Sequence, residues 1–249
     1  MLKYKYLILL LLLISPLLLS SQSQGGKITY KYLVNADNYF LKKTKKNLAK
    51  TMSSINNSLR EAQSKLKFEL VFNGKSSLYY MKPYFVSEGD KSMNYAIIFN
   101  EGHNEYHLDK QSNVKTISLE AYGERFNIVD KSNTQKWVTT NETKKIGNYL
   151  CYKATTIKIT KNPMGVFKKP ITAWYTPEIP FNYGPKGYGE LPGLILELQE
   201  GILLYFASKI ELKTKEKVKV RKPKKGKTIT MKQFNEIGIK VSRKMKRKI

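Results

Sequence analysis

Leu66-Lys67-Phe68-Glu69-Leu70-Val71-Phe72-Asn73-Gly74-Lys75-Ser76-Ser77-Leu78-Tyr79-Tyr80-Met81 is the stretch on which the reading of the fold turns. Its two halves alternate apolar and polar residues, the period of a half-buried strand. Between them Asn73-Gly74 is a strong hairpin signal, because both residues accept the positive φ that a type I′ turn requires. An antiparallel pair is therefore expected here.

Working back toward the N-terminus, the period changes. Leu41, Leu48, Met52, Ile55, Leu59 and Ala62 recur at three, four or seven residues, one stripe of an amphipathic helix. Neither glycine nor proline interrupts the chain from Ala36 to Lys65, which predicts one long helix. Before it, Lys27–Val34 alternates again and reads as a strand.

Toward the C-terminus the chain reads as strand after strand. The candidates are Tyr95–Phe99, Glu105–Asp109, Val114–Ala121, Arg125–Val129, Lys136–Thr140, Tyr149–Ile159, Thr172–Thr176, Leu194–Leu198 and Leu203–Leu212. Seventeen Tyr and ten Phe suit strands. Short connections make sequential strands antiparallel neighbours. The expected fold class is α+β, a curved antiparallel meander wrapped on the long N-terminal helix.

Three segments divide the chain. Residues 1–23 have two lysines, an apolar run from Leu7 to Leu19 and a small, polar exit, the three parts of a secretory signal. The expected localisation is export, to the periplasm, the cell surface or the medium. Residues 24–212 form the α+β domain. Residues 213–249 form a basic extension with sixteen Lys and Arg against Glu216 and Glu236, a large part of the formal charge of +26. Thr230 is placed to cap a last helix with Phe234, Ile237, Val241 and Met245 on one stripe. Sequence-blind positive charge fits anionic lipid or an acidic protein surface, and export argues against nucleic acid. A solvated lysine-rich surface accounts for the same charge without a partner.

No constellation of residues states a reaction, so no catalytic residue, metal ligand or cofactor is expected. His103 and His107 flank Glu105, but on a strand they would lie about 13 Å apart at ~3.3 Å per residue. Cys151 is read as a buried thiol, since no base can be named for it. The run Gly184–Gly193 lacks the strand-to-helix context of a dinucleotide loop and reads as successive tight turns.

The second half also carries a resemblance. Trp137, Lys145–Ala154, Trp174, Pro177, Pro180, Gly184, Pro185 and Leu191-Pro192-Gly193-Leu194-Ile195 follow the order and spacing of the GLPGLI family, which this chain resembles most strongly from Trp137 to Leu198. Glu190 stands where the first glycine of the motif would be, which argues against a positive φ or a close backbone approach there. The resemblance implies an exported protein of Gram-negative bacteria with no established activity and no catalytic residues to carry over. Turn chemistry gives the motif residues a fold-defining role, with ligand contact as the other reading. Two functions follow as expectations. One is a non-catalytic periplasmic or envelope binding protein for a lipid or other hydrophobic ligand, with an apolar hollow and no convergent titratable cluster. The alternative is an interaction scaffold at the outer membrane, meeting a protein or lipid surface through aromatic loops and the basic tail.

Overall fold

The computed structural model describes residues 25–34, 46–85, 90–130, 135–162, 165–213, 217–223 and 225–246. The signal segment 1–23 lies outside them, as does Leu41. In chain order the elements are β1 (Gly25–Val34), α1 (Lys46–Ala62), β2 (Phe68–Asn73), β3 (Ser76–Met81), α2 (Lys91–Phe99), β4 (Glu105–Asp109), β5 (Val114–Ala121) and β6 (Glu124–Asp130). Then come β7 (Val138–Ile146), β8 (Tyr149–Asn162), β9 (Gly165–Thr176), a 3-10 turn (Pro185–Gly187), β10 (Leu194–Glu200), β11 (Leu203–Lys213), β12 (Lys227–Thr230) and α3 (Met231–Lys246).

The strands form a single twelve-stranded sheet in the order β12-β6-β5-β4-β3-β2-β1-β11-β10-β9-β8-β7. Two meanders, β2–β6 and β7–β11, are joined by β1, which pairs with β2 on one side and β11 on the other. Pairing is antiparallel except for β12, which lies parallel to β6. The expected α+β meander on one long helix is therefore corrected. The described residues are mostly β, their sheet is mixed, and no long N-terminal helix organises them. Helix α1 contributes Leu59 and Ala62 to the core, with Ile55 beside them; the side chains of Leu48 and Met52 lie outside the described residues. Tyr32 of β1 holds α1 by donating its hydroxyl to the Leu59 carbonyl at 2.7 Å.

Two local expectations are also corrected. Tyr95–Phe99 is helical, not a strand. Asp90 caps α2 by accepting from the Met93 amide at 2.9 Å, and Met93, Ala96 and Ile97 bury one helical face. At the β2–β3 hairpin neither Asn73 nor Gly74 has a positive φ. Instead the Asn73 side-chain oxygen accepts from the Lys75 and Ser76 amides, both at 2.9 Å, so an Asx turn replaces type I′ geometry.

What fills the concave face is the long connection from β9 to β10. The sheet curls enough for Phe181 to meet Phe72 of β2 at 4.8 Å between ring centroids, and for the Tyr183 hydroxyl to donate to the Asn73 carbonyl at 3.1 Å. Tyr30, Phe68, Tyr79 and Tyr205 form an aromatic floor beneath it, with Phe68 and Tyr79 stacked at 5.6 Å. Across the opposite face runs the basic segment 217–223. Arg221 forms a two-pronged ion pair with Glu105 at 2.7 and 2.8 Å and lies over the Tyr80 ring, while Asn73 donates to the Val218 carbonyl at 2.9 Å. This strap precedes β12 at the far edge. There Thr230 and Gln233 cap α3 reciprocally, and Phe234 and Ile237 pack on Phe126, Ile128 and Ile229.

Candidate functional site

Apart from Trp174, the motif residues singled out in the sequence lie on or against the β9–β10 connection. After Pro177 the chain drops into the hollow, burying Ile179, Phe181 and Tyr183 in alternation while Pro180 stays exposed. Gly184 and Pro185 open the 3-10 turn, and a bridge between Tyr183 and Gly189 closes the loop on itself. Trp137 clamps it from outside, donating its indole N–H to the Gly189 carbonyl at 2.8 Å. Gly193 has φ +149°, and a Cβ there would fall 2.1 Å from the Thr176 carbonyl oxygen, so no other residue fits. Leu191, Leu194 and Ile195 are buried and Pro192 is exposed. Trp174 lies apart, on the other face of β9, under the Lys144 ammonium at 4.5 Å.

Glu190 corrects one expectation. Its φ is +67°, so the position does require the left-handed region that glycine occupies freely. The glutamate is held there by its carboxylate, which accepts from the Gln135 amide at 2.9 Å.

At the tip of the loop sits Lys186, also left-handed at φ +54°, its side chain only 4% exposed. Its ammonium meets Glu200 of β10 at 2.7 Å and Glu101 at 3.1 Å, and lies 5.7 Å from the Tyr205 ring centroid. Glu101, at φ +55°, accepts from the Tyr106 hydroxyl. Lys158 of β8 approaches Glu200 at 2.9 Å and Glu101 at 4.0 Å, and Lys169 of β9 approaches Glu200 at 3.6 Å. Two carboxylates are thus shared among three lysines. Burial by itself would raise the Glu200 carboxyl, but Lys186, Lys158 and Lys169 outweigh it and hold it far below the usual carboxylate range. Burial would likewise lower Lys186, yet Glu200 and Glu101 hold it well above its ordinary value. Both groups stay charged across the physiological range.

Lys115 of β5 borders this network, against Gly187 and 5.9 Å from the Tyr188 ring centroid. Burial, with the positive charge of Lys158, pushes it down to about 8. The hydroxyls of Tyr79, Tyr188 and Tyr205, all deeply buried, have no hydrogen-bond partner among the described residues. Cys151 is fully buried, and its thiol is pushed up to about 11 by that burial, so it remains protonated at neutral pH. His103 is exposed in the turn before β4 and His107 is buried on β4, where burial lowers it. Neither is part of the Lys186 network.

Residues 166–197 match a family model described as a protein of unknown function (Porph_ging). The matched segment runs from β9 through the whole loop into β10 and so holds the motif together with Lys169 and Lys186, while Glu101, Lys158 and Glu200 lie outside it. No curated protein matches the chain. Among solved structures, two of PNGF-II in different space groups are similar over 86% of this chain, at 16% and 15% identity and TM-scores of 0.53 and 0.52. The chain spans about a third of the PNGF-II length, 32% and 33%. At that identity the likeness is one of fold alone.

Sequence reasoning missed Lys186, Glu200, Glu101, Lys158 and Lys115. One signal was present: period-2 alternation puts Glu200 on the same face as the buried Leu196 and Leu198. A carboxylate on an apolar face requires a cation, but which lysine supplies it depends on the curl of the sheet.

Proposed function

We propose that this chain is an exported, non-catalytic interaction module of the cell envelope, of the GLPGLI type. The motif Leu191-Pro192-Gly193-Leu194-Ile195 lies inside the matched segment 166–197, which supports the finer family reading. The observation that carries the functional reading is the Lys186–Glu200–Glu101 network. An acyl-chain carrier needs an apolar hollow, and here the concave face holds converging charges beneath the loop. General acid–base catalysis needs a group whose protonation changes near the working pH; mutual pairing locks Lys186 and Glu200 in their charged forms, and Lys115, lowered to about 8, lies at the border of the network rather than within it. The loop is therefore a clamp that holds the sheet closed. Recognition falls to surfaces elsewhere, consistent with export by the segment 1–23. Native mass spectrometry of the mature protein, purified gently from the envelope of its host, tests this. The expected result is the mass of the bare chain. A lipid-sized additional mass, lost on unfolding, would overturn the reading in favour of a carrier.

A further inference from the structure

Beyond the body of the sheet, β8 and β9 continue as a two-stranded arm. β7 pairs with β8 only as far as Val138 opposite Thr155, and β10 pairs with β9 only from Ile171 onward. Residues 156–162 and 165–170 therefore pair with each other and with no other strand among the described residues. Pro170 is tolerated inside β9 because its strand is flanked on one side only.

The arm is apolar where a water-facing ribbon should be polar. Ile157, Ile159 and Val166 are 59%, 56% and 60% exposed and share one face with Pro170 and Lys168. Phe167, 49% exposed, lies on the opposite face. Singly scattered exposed apolar residues are ordinary, but four on one isolated ribbon are not. The arm's sequence carries Lys158, Lys161, Lys168 and Lys169, and no acidic residue occurs between Thr155 and Pro177. Lys158 and Lys169 are anchored at the base by Glu200, which leaves the outer half apolar and basic.

We infer that this arm docks on an anionic lipid surface, its outer half entering the headgroup boundary while its lysines meet lipid phosphates. The inference rests on the interaction reading above and supplies its partner. Two observations favour lipid over a protein groove. The outer half exposes apolar side chains on both faces, Ile159 and Val166 on one and Phe167 on the other, which suits immersion in a medium more than docking against one surface. Its charge is of one sign throughout, matching an anionic leaflet. The length also fits. From Ile159 to Asn162 the strand extends about 10 Å at ~3.3 Å per residue, within the ~5–10 Å depth of interfacial burial. Deeper entry is opposed by the unpaired backbone edges.

Because the whole chain is strongly basic, vesicle binding at low salt is no test, and the experiment works at raised salt, where exposed charges are screened. Full mature protein is floated with phosphatidylglycerol-containing vesicles and with phosphatidylcholine vesicles. The expected result is retention on the anionic vesicles and loss of at least about tenfold in affinity in the charge-neutral triple variant Ile159→Ser, Val166→Ser, Phe167→Ser, on the scale of a few partly buried side chains. Independently, tryptophan emission from the Ile159→Trp variant should shift to the blue when anionic vesicles are added. A triple variant that binds like wild type, or an Ile159→Trp emission maximum that does not move, overturns the assignment of the arm. Wild-type protein that binds no vesicle overturns lipid docking, while the interaction reading stands or falls on the native mass.

Discussion

The loop 184–193 and the arm of residues 156–162 and 165–170 both display lysine, and they use it in opposite ways. Lys186 lies under the loop between two carboxylates in a region from which water is largely excluded. Lys168 lies in water on a ribbon that pairs with no further described strand. In the first setting the cation is a bolt, because removing it strands buried negative charge. In the second it contributes little to folding and is available to a partner. The same side chain is structural or presentational according to the dielectric around it, and the Lys158–Glu200 and Lys169–Glu200 contacts mark where one regime passes into the other.

The contrast can be broken most directly at the bolt. Lys186→Met should destabilise the protein by about 3–5 kcal/mol, since it leaves Glu200 buried without its closest cation. Guanidinium denaturation measures this, and a loss below about 1 kcal/mol would show that Lys158 and Lys169 suffice without the loop.

Acid attacks the same network. Glu200 and Glu101 both have carboxyls lowered in the folded state, by lysines that outweigh the opposing effect of burial. Their stabilisation is fully present above the unfolded carboxylate value of 4.5 and is lost as pH falls from there through the folded values. The thermal midpoint should therefore drop steeply below about pH 4.5, and Glu200→Gln should flatten that drop while lowering the plateau. A Glu200→Gln profile parallel to wild type would place the acid sensitivity elsewhere.

A smaller effect lies at the loop's rim. Glu190→Gly relieves a left-handed glutamate, worth about 1–2 kcal/mol, against the ~0.5–1 kcal/mol entropy cost of glycine and the exposed bond to Gln135. A net gain below about 1 kcal/mol is expected in the denaturation midpoint. A loss would mean that the Gln135 bond matters more than the backbone strain.

Smallest of all should be Ile159→Ser on the arm, within about 0.5 kcal/mol of wild type, since more than half of that side chain's residue surface faces solvent. A larger loss would show that the arm contributes to the fold and would blur the distinction between the two regions.

Much of the candidate site was legible as geometry and little of it as chemistry. Gly193 and Pro185 mark where the chain turns, because φ preference is a property of the residue itself, whereas Gly184 is extended and is small because the Ile195 side chain packs against it. Trp137 stood out as a motif residue, but its bond to the Gly189 carbonyl joins segments far apart in the chain. At Glu190 residue type does not reveal conformation, because the positive φ goes with the loop's closure and the bond from the Gln135 amide compensates for it.

The elements divide in the same way. Glu105–Asp109 and Val114–Ala121 emerge with the expected bounds, and the Thr230 cap emerges with Gln233 as its partner, because alternation and capping act over two to four residues. Tyr95–Phe99 differs because five residues are too few to separate the two periods, and the signal that decides for a helix, the Asp90 cap, lies five residues upstream. Most strands, the turn residues and the amphipathic stripe of α3 could be read along the chain. The filling of the hollow by a loop, the parallel pairing of β12 with β6, and the contrast between a paired Lys186 and a free outer arm exist only once the chain is folded. Local patterns follow from the chain's own stereochemistry. Charge pairing across a curled sheet follows from which distant residues the curl brings together, and no window along the chain contains that information.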